Sequence, residues 1–234
     1  MRRLLPLLGL LAGLAAAGAA LADAGADARY HQLLAQAKSA SGQVDWTALR
    51  QAYAASEDFD LRGEKTKGAR KAMFEAMNAG DFKTAAAHAN FILAVDYVDI
   101  DAHVVLDIAA QQSGDKAGAQ REHDIVVGIL QSIHTGDGLS PEHAFTPISI
   151  GEEYAMLRAF SLEPKGQALV QANGHSYDRL DVAARDGKTM SLYFLVDAVL
   201  ARELPPRPPA QPQQPPQPAA QAPPPPETIP QPAR

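Results

Sequence analysis

The pair Gly80-Asp81 recurs as Gly114-Asp115, 34 residues further along the chain. A fixed spacing of this length is typical of proteins built from pairs of antiparallel helices, each pair being one repeat. The glycine of each pair suits the end of a first helix, because it adopts a left-handed backbone at low cost. Small residues, Ala85 and Ala119, follow five positions after each glycine, where two helices must approach closely. The spacing therefore constrains this part of the chain to two stacked helical hairpins.

These hairpins are of the tetratricopeptide-like kind, for which a 34-residue period is characteristic. Their four helices are predicted over residues 65–79, 83–95, 100–112 and 116–133. Two hairpins cannot bury a core by themselves, so other elements must cover their ends. Two earlier amphipathic segments, residues 27–39 and 45–55, are candidate helices for that purpose.

Beyond Ala144 the helical periodicity gives way to short β-type runs separated by turn signals. A helix with an acidic first turn is predicted from Gly151 to Ser161, and strands are predicted over residues 145–150, 167–171, 177–183 and 189–196. Asn173-Gly174 and Asp186-Gly187 suit the turns of an antiparallel sheet. The whole pattern predicts an α+β fold: tetratricopeptide-like helical hairpins followed by a small antiparallel sheet with one packed helix.

The first 22 residues have the pattern of a secretory signal peptide. Arg2 and Arg3 precede an apolar run over residues 4–20, and Ala20-Leu21-Ala22 fits a small-x-small cleavage site. An uncleaved membrane anchor is the alternative, because the apolar run approaches the roughly 20 residues that span a bilayer. Cleavage before Asp23 predicts a periplasmic or secreted protein with no membrane span.

The last 31 residues, 204–234, include 14 prolines. Such a composition cannot build a packed core and predicts a disordered, partly polyproline tail. The tail is either a spacer or a ligand for an aromatic groove. The predicted organisation is a signal peptide (1–22), a helical region (23–135), a small α+β module packed on it (136–203) and the tail (204–234). The sequence leaves open whether the two middle regions share one core.

Composition excludes several classes of function. The chain has 21 Lys and Arg residues against 27 Asp and Glu residues, a net charge of −6, and no cluster of cations. This balance argues against nucleic acid as a partner. The lack of cysteine excludes disulfides, thiolate metal sites and a cysteine nucleophile. No motif indicates a cofactor.

Candidate catalytic residues are scattered through the chain, and four of them combine best. His123, Glu152, His175 and Asp178 could form an acid–base pair or a two-histidine, one-carboxylate metal site. Ser132, Asp137 and Glu153 are further polar groups in the same region. No His-Glu-x-x-His or Gly-x-Ser-x-Gly motif is present, so no known motif supports a catalytic or metal site here. The sequence therefore decides neither for nor against catalysis and metal binding. His123 also lies on an apolar helical stripe, which is more typical of a buried structural histidine.

Short motifs along the body resemble a known family. They are Asp45–Arg50, Asp99–His103, Glu122-His123, Gly128–Ile133, Gly136–Gly138, Ser140–Glu142, Ala144-Phe145, Glu152–Tyr154, Gly174–Asp178 and Tyr193-Phe194. In these segments the chain is similar to an exported bacterial family catalogued as domain of unknown function 4919. The resemblance implies the fold and export, and it supplies no reaction and no catalytic residue.

Two functions follow from these observations. The first is a non-enzymatic interaction module of the cell envelope, whose helical repeats bind an envelope protein or an extended peptide. The alternative is a hydrolase-like enzyme with a histidine–carboxylate site at the junction of repeat and sheet. The two are distinguished by whether the side chains of His123, Glu152, His175 and Asp178 converge around a pocket.

Overall fold

The computed structural model describes residues 25–39 and 43–203, and both the predicted signal peptide and the proline-rich tail lie outside them. Six helices come first: α1 (25–38), α2 (Trp46–Ala55), α3 (Lys67–Asn78), α4 (Phe82–Val95), α5 (Ile100–Ser113) and α6 (Lys116–Ile133). A short 3-10 turn and a seventh helix follow, Pro141–His143 and α7 (Ile150–Ala159). The chain then forms β1 (Glu163–Ala172), β2 (His175–Ala183), β3 (Thr189–Leu195) and α8 (Asp197–Glu203).

The two Gly-Asp pairs form the helix junctions that the sequence predicts. Gly114 ends α5 in the left-handed conformation with φ 79°, and the Asp115 carboxylate then caps α6 by accepting from the Gly118 N–H at 2.9 Å. Gly80, with φ 73°, follows the last residue of α3, and Asp81 caps α4. Each pair therefore ends one helix and starts the next. The arrangement is compatible with tetratricopeptide-like hairpins.

The buried face of α4 agrees with the sequence pattern, whereas that of α6 does not. The α4 residues Ala85, Ala89, Ile92 and Leu93 are all buried. On α6 the buried positions include Ala119, Val126, Ile129 and Ile133. His123 is exposed, so its assignment to the apolar stripe of α6 is wrong, and the neighbouring Val127 is exposed as well. The apolar run around Val126 and Val127 is compatible with more than one buried face of α6. Contacts with other elements select the face that is buried.

The sheet has the strand order β1-β2-β3 and is antiparallel throughout. Asn173 and Gly174, with φ 52° and 81°, form the tight turn between β1 and β2. The strand predicted over residues 145–150 is wrong, because only Phe145 makes a single bridge, to Phe194. Pro147 follows closely and cannot donate to a ladder, and Ser149 already caps α7. Helix α8 was absent from the sequence prediction.

Two groups of buried apolar residues stabilise the fold. The smaller group lies among α3, α4 and α5 and includes Met73, Ala85, Ile92 and Val105. The larger group joins α1, α2 and α6 to α7, the sheet and α8. The helical region and the sheet therefore share a core, a question that the sequence left open. Among the residues described, no helix is long and apolar enough to cross a membrane.

Candidate functional sites

The four predicted site residues each have a different partner. His123 is exposed on α6 with its Nδ1 3.6 Å from Asp107 Oδ2. His175, half exposed at the start of β2, places its Nδ1 2.6 Å from Asp197 Oδ2 at the start of α8. The hydrogen bonds from His175 and from the Ser176 N–H lower the pKa of Asp197. Both histidines thus belong to surface pairs.

Glu152 belongs to a buried ion pair with Arg50 of α2. The Arg50 Nε donates to Glu152 Oε1 at 2.8 Å and Nη2 donates to Oε2 at 2.5 Å, so the contact is bidentate. The same guanidinium also donates to the backbone oxygens of Ser132 and Thr146, and the Ile148 N–H donates to Glu152 Oε2. This network ties α2 and α6 to the start of α7.

Asp178 lies on β2 beside the fully buried side chain of Glu153. The Gln167 amide donates to Asp178 Oδ2, whereas neither oxygen of Glu153 accepts a hydrogen bond from another described residue. Burial, reinforced by the negative charge of Asp178, raises the pKa of Glu153 to about 9. Burial also raises the pKa of Asp178. Glu153 is therefore a neutral carboxylic acid near pH 7.

The other polar candidates have local roles. Ser132 is buried, and its hydroxyl donates to Ile129 O at 2.6 Å and accepts from Arg50. The exposed Asp137 accepts from the Leu139 N–H and closes its own loop. No hydrogen bond or ion pair links any two of His123, Glu152, His175 and Asp178. Within residues 25–39 and 43–203, no group of three or more acidic and histidine side chains is arranged to hold a metal ion.

A buried structural histidine does exist, but it is His103 of α5. Its Nε2 lies 2.9 Å from Tyr97 O and its Nδ1 lies 2.7 Å from Glu122 Oε2. Because a backbone carbonyl oxygen only accepts, Nε2 carries a proton in this contact. His103 therefore fixes the α4–α5 connection against α6, which is the kind of role that the sequence pattern had suggested for His123.

An apolar groove of about 860 Å³ lies among α4, α5, α6, the end of α1 and the start of α2. We define the apolar groove by its apolar residues: Val44, Trp46, Leu93, Ala94, Tyr97, Leu106 and Ile125. Trp46 packs against α6 at Gly128, where an added Cβ would come within 2.1 Å of the indole Nε1. The rim is polar and carries Lys38, Asn90, Gln120 and Arg121.

A second cavity, which we call the charged cleft, measures about 710 Å³ and lies where α3 and the start of α5 face α7. Arg70 pairs with Asp99 and Asp101, and Arg158 pairs with Asp101 through two hydrogen bonds. Asp96 also lines the cleft. None of these residues was among the predicted site residues, because their pairing brings together α3, α5 and α7, which no local pattern contains.

The fold defines an α+β protein in which a helical region shares a core with a three-stranded antiparallel sheet. The chain matches the family described as "Domain of unknown function (DUF4919)" over residues 19–204, and it belongs to that family. This confirms the resemblance seen in the sequence. No curated protein and no solved structure matches the chain.

Proposed function

We propose that this protein is an exported, non-enzymatic interaction module of the cell envelope, which binds an extended peptide segment of another protein in the apolar groove. The observation that carries the proposal is the groove itself. Its apolar floor contains two half-buried aromatic side chains, Trp46 and Tyr97, and such residues provide much of the binding energy in protein interfaces.

The rim favours a peptide over a wholly apolar ligand. The Asn90 amide nitrogen donates to Ala86 O at 2.9 Å, and the Gln120 amide nitrogen donates to Asp124 Oδ1 at 2.8 Å. Each amide therefore keeps its own oxygen as an acceptor at the groove. An extended peptide has backbone N–H groups that need such acceptors, since they are unpaired within the peptide.

The single tryptophan provides a direct test, because Trp46 lies in the groove and its fluorescence reports on binding there. Twelve-residue peptides would be selected from a random phage-displayed library against the protein and titrated while the Trp46 emission is followed. We expect saturable binding, a shift in emission, and a loss of affinity of about tenfold or more in Ala94→Arg, which fills the groove.

Ala87→Arg is the matched control. Ala87 is an exposed α4 residue outside the groove, so the substitution adds the same side chain to the same helix. Equal loss of affinity in the two variants, or selected peptides that leave the Trp46 emission unchanged, would contradict binding in the groove.

Export rests on the N-terminal sequence pattern. We expect the protein recovered from the periplasm or medium to begin at Asp23, which N-terminal sequencing would establish. An intact N-terminus at Met1 in the cytosolic fraction would contradict export.

The alternative hydrolase-like function has less support. It requires His123, His175, Glu152 and Asp178 to surround one pocket, whereas each is engaged with a different partner. Of the four, only Glu152 lines the charged cleft at the junction of repeat and α7, and its carboxylate is held by Arg50. We therefore pursue the interaction function.

A further inference from the structure

The charged cleft is separate from the apolar groove and has the size of a small-molecule site. Its volume of about 710 Å³ falls within the several hundred to a thousand cubic ångströms usual for organic ligands. The wall includes the aromatic rings of Phe59 and Phe74, together with Val98 and Ile148. Such walls favour a ligand with an apolar body.

Most charges at the inner end of the cleft are already neutralised. Arg70 is bound by Asp99 and Asp101, and Arg158 donates to both oxygens of Asp101 at 2.9 and 2.5 Å. Glu152 is bound by Arg50, which does not itself line the cleft. These ion pairs link α3 and α7 to the start of α5 within the cleft.

Asp96 differs from these acidic residues. Its Oδ1 accepts from the Val98 N–H at 3.1 Å, and no cation pairs with its carboxylate in the described part of the chain. Asp96 is partly exposed and lines the cleft. Its second oxygen accepts no hydrogen bond from the described residues and is free to pair with a ligand that enters the cleft.

The charged and titratable groups that face Asp96 come from five elements. Tyr30 of α1, Tyr53 of α2, Asp99 before α5 and Glu152 of α7 are neutral or acidic, and Arg70 of α3 is the single cation among them. Burial, followed by the negative charges of Asp99 and Glu152, raises the pKa of Asp96 well above its ordinary value. A second cation placed against this carboxyl would lower the pKa of Asp96 and favour its ionised form.

We propose that the charged cleft binds a small organic amine, whose ammonium group pairs with the free oxygen of Asp96 while its apolar body packs against Phe59 and Phe74. An ammonium group is favoured over a metal ion, because the described residues contain no arrangement of three metal-ligating side chains. This site is independent of peptide binding in the apolar groove.

The test uses three amines of different shape, 2-phenylethylamine, 1,5-diaminopentane and agmatine, titrated by calorimetry in phosphate and in MOPS buffer near pH 6.5. We expect at least one amine to bind saturably. We expect 2-phenylethanol, which lacks the charge of 2-phenylethylamine, to bind at least about tenfold more weakly than 2-phenylethylamine. The difference in heat between buffers should show proton release on binding, since the amine favours the ionised form of Asp96.

Asp96→Asn and Glu64→Gln are a matched pair of variants. Both remove one negative charge from the lining of the cleft, but Glu64 is exposed at its rim. The asparagine keeps an oxygen for the Val98 N–H, so the fold should persist. We expect Asp96→Asn to weaken amine binding about tenfold and to abolish proton release, and Glu64→Gln to change the affinity less than twofold.

Three results would overturn the proposal: no saturable binding of any of the three amines, equal binding of 2-phenylethanol and 2-phenylethylamine, or equal loss in the two variants. The first two do not depend on any variant, so a folding defect in Asp96→Asn leaves the proposal open to refutation. Peptide binding in the apolar groove is read from Trp46 and would be unaffected by any of them.

Discussion

Two neighbouring carboxyl groups of α7, Glu152 and Glu153, are both buried, but they face different surroundings. Glu152 points towards α2 and α6 and receives three hydrogen bonds, two from Arg50 and one from the Ile148 N–H. Glu153 faces Asp178 on the sheet, and neither of its oxygens accepts a hydrogen bond from another described residue. The same residue type, one position apart, is thus part of an ion pair on one side of the helix and a neutral acid on the other.

The comparison shows two ways in which a fold accommodates a buried carboxyl. Burial of a charge is unfavourable unless donors replace the lost water. Around Glu152 the donors are the guanidinium of Arg50 and the Ile148 N–H, which replace the lost water. Around Glu153, burial and then the negative charge of Asp178 raise the pKa to about 9, so the proton is retained.

The largest effect is expected on the Glu152 side. Arg50→Met leaves Glu152 buried without its partner, which should lower the free energy of unfolding at pH 7 by about 3–5 kcal/mol. Urea denaturation followed by circular dichroism would measure it. A loss below about 1 kcal/mol would show that the ion pair is not a source of stability.

The double variant Arg50→Met/Glu152→Leu separates a lost attraction from an uncompensated charge. If the cost of Arg50→Met comes mainly from the bare carboxylate, the double variant should be more stable than the single one. If the loss in the free energy of unfolding of the double variant equals the sum of the losses of the two single variants, packing of the Arg50 side chain dominates.

Local signals in the sequence explain what could be predicted of the fold. The bounds of α2 and α6 are as predicted, because Asp45 and Asp115 are capping residues directly before apolar stripes. The predicted strand at 145–150 is wrong because only Phe145 pairs with β3, while Pro147 has no N–H to donate and Ser149 caps α7. The outward orientation of His123 depends on which face of α6 meets other elements, which no local pattern contains.

The candidate sites were far less predictable than the fold. Arg50 and Glu152 are 102 positions apart. Arg50 stood only within a family motif, and Glu152 was predicted as a catalytic candidate together with His123, His175 and Asp178, not with Arg50. The acidic pair Glu152-Glu153 indicated a helix N-terminus, which is where both lie. Their opposite environments arise because successive helical residues point in directions about 100° apart, so tertiary packing decides what each one meets.

On the Glu153 side the expected effect depends on pH. The folded-state pKa of about 9 exceeds the ordinary value of 4.5, so between these values the native state holds a proton that the unfolded state has released. This contribution to stability is fully present below about pH 4.5 and is lost as pH rises, by up to about 1.4 kcal/mol per pH unit, until about pH 9. Glu153→Gln should abolish this decline, which urea denaturation at pH 5, 7 and 9 would show.

Asp178→Asn is the control for the carboxyl pair. Removing the negative charge beside Glu153 should lower its pKa and move the decline in stability to lower pH, without abolishing it. Identical pH dependence in the wild-type protein and Glu153→Gln would show that Glu153 is ionised in the native state, and the contrast with Glu152 would then fail.

The smallest effect concerns the hydroxyl at the edge of the Arg50 network. Ser132→Ala removes one acceptor of Arg50 Nη1 at 3.2 Å, while the backbone oxygen of Ser132 at 3.1 Å remains. The guanidinium is therefore still satisfied, and the cost should be only about 1 kcal/mol in the free energy of unfolding. Ser191→Ala, which removes a hydrogen bond to the half-buried Asp181, is the comparison and should cost less. A cost for Ser132→Ala close to that of Arg50→Met would mean that the network acts as one unit, whose members cannot be assigned separate contributions.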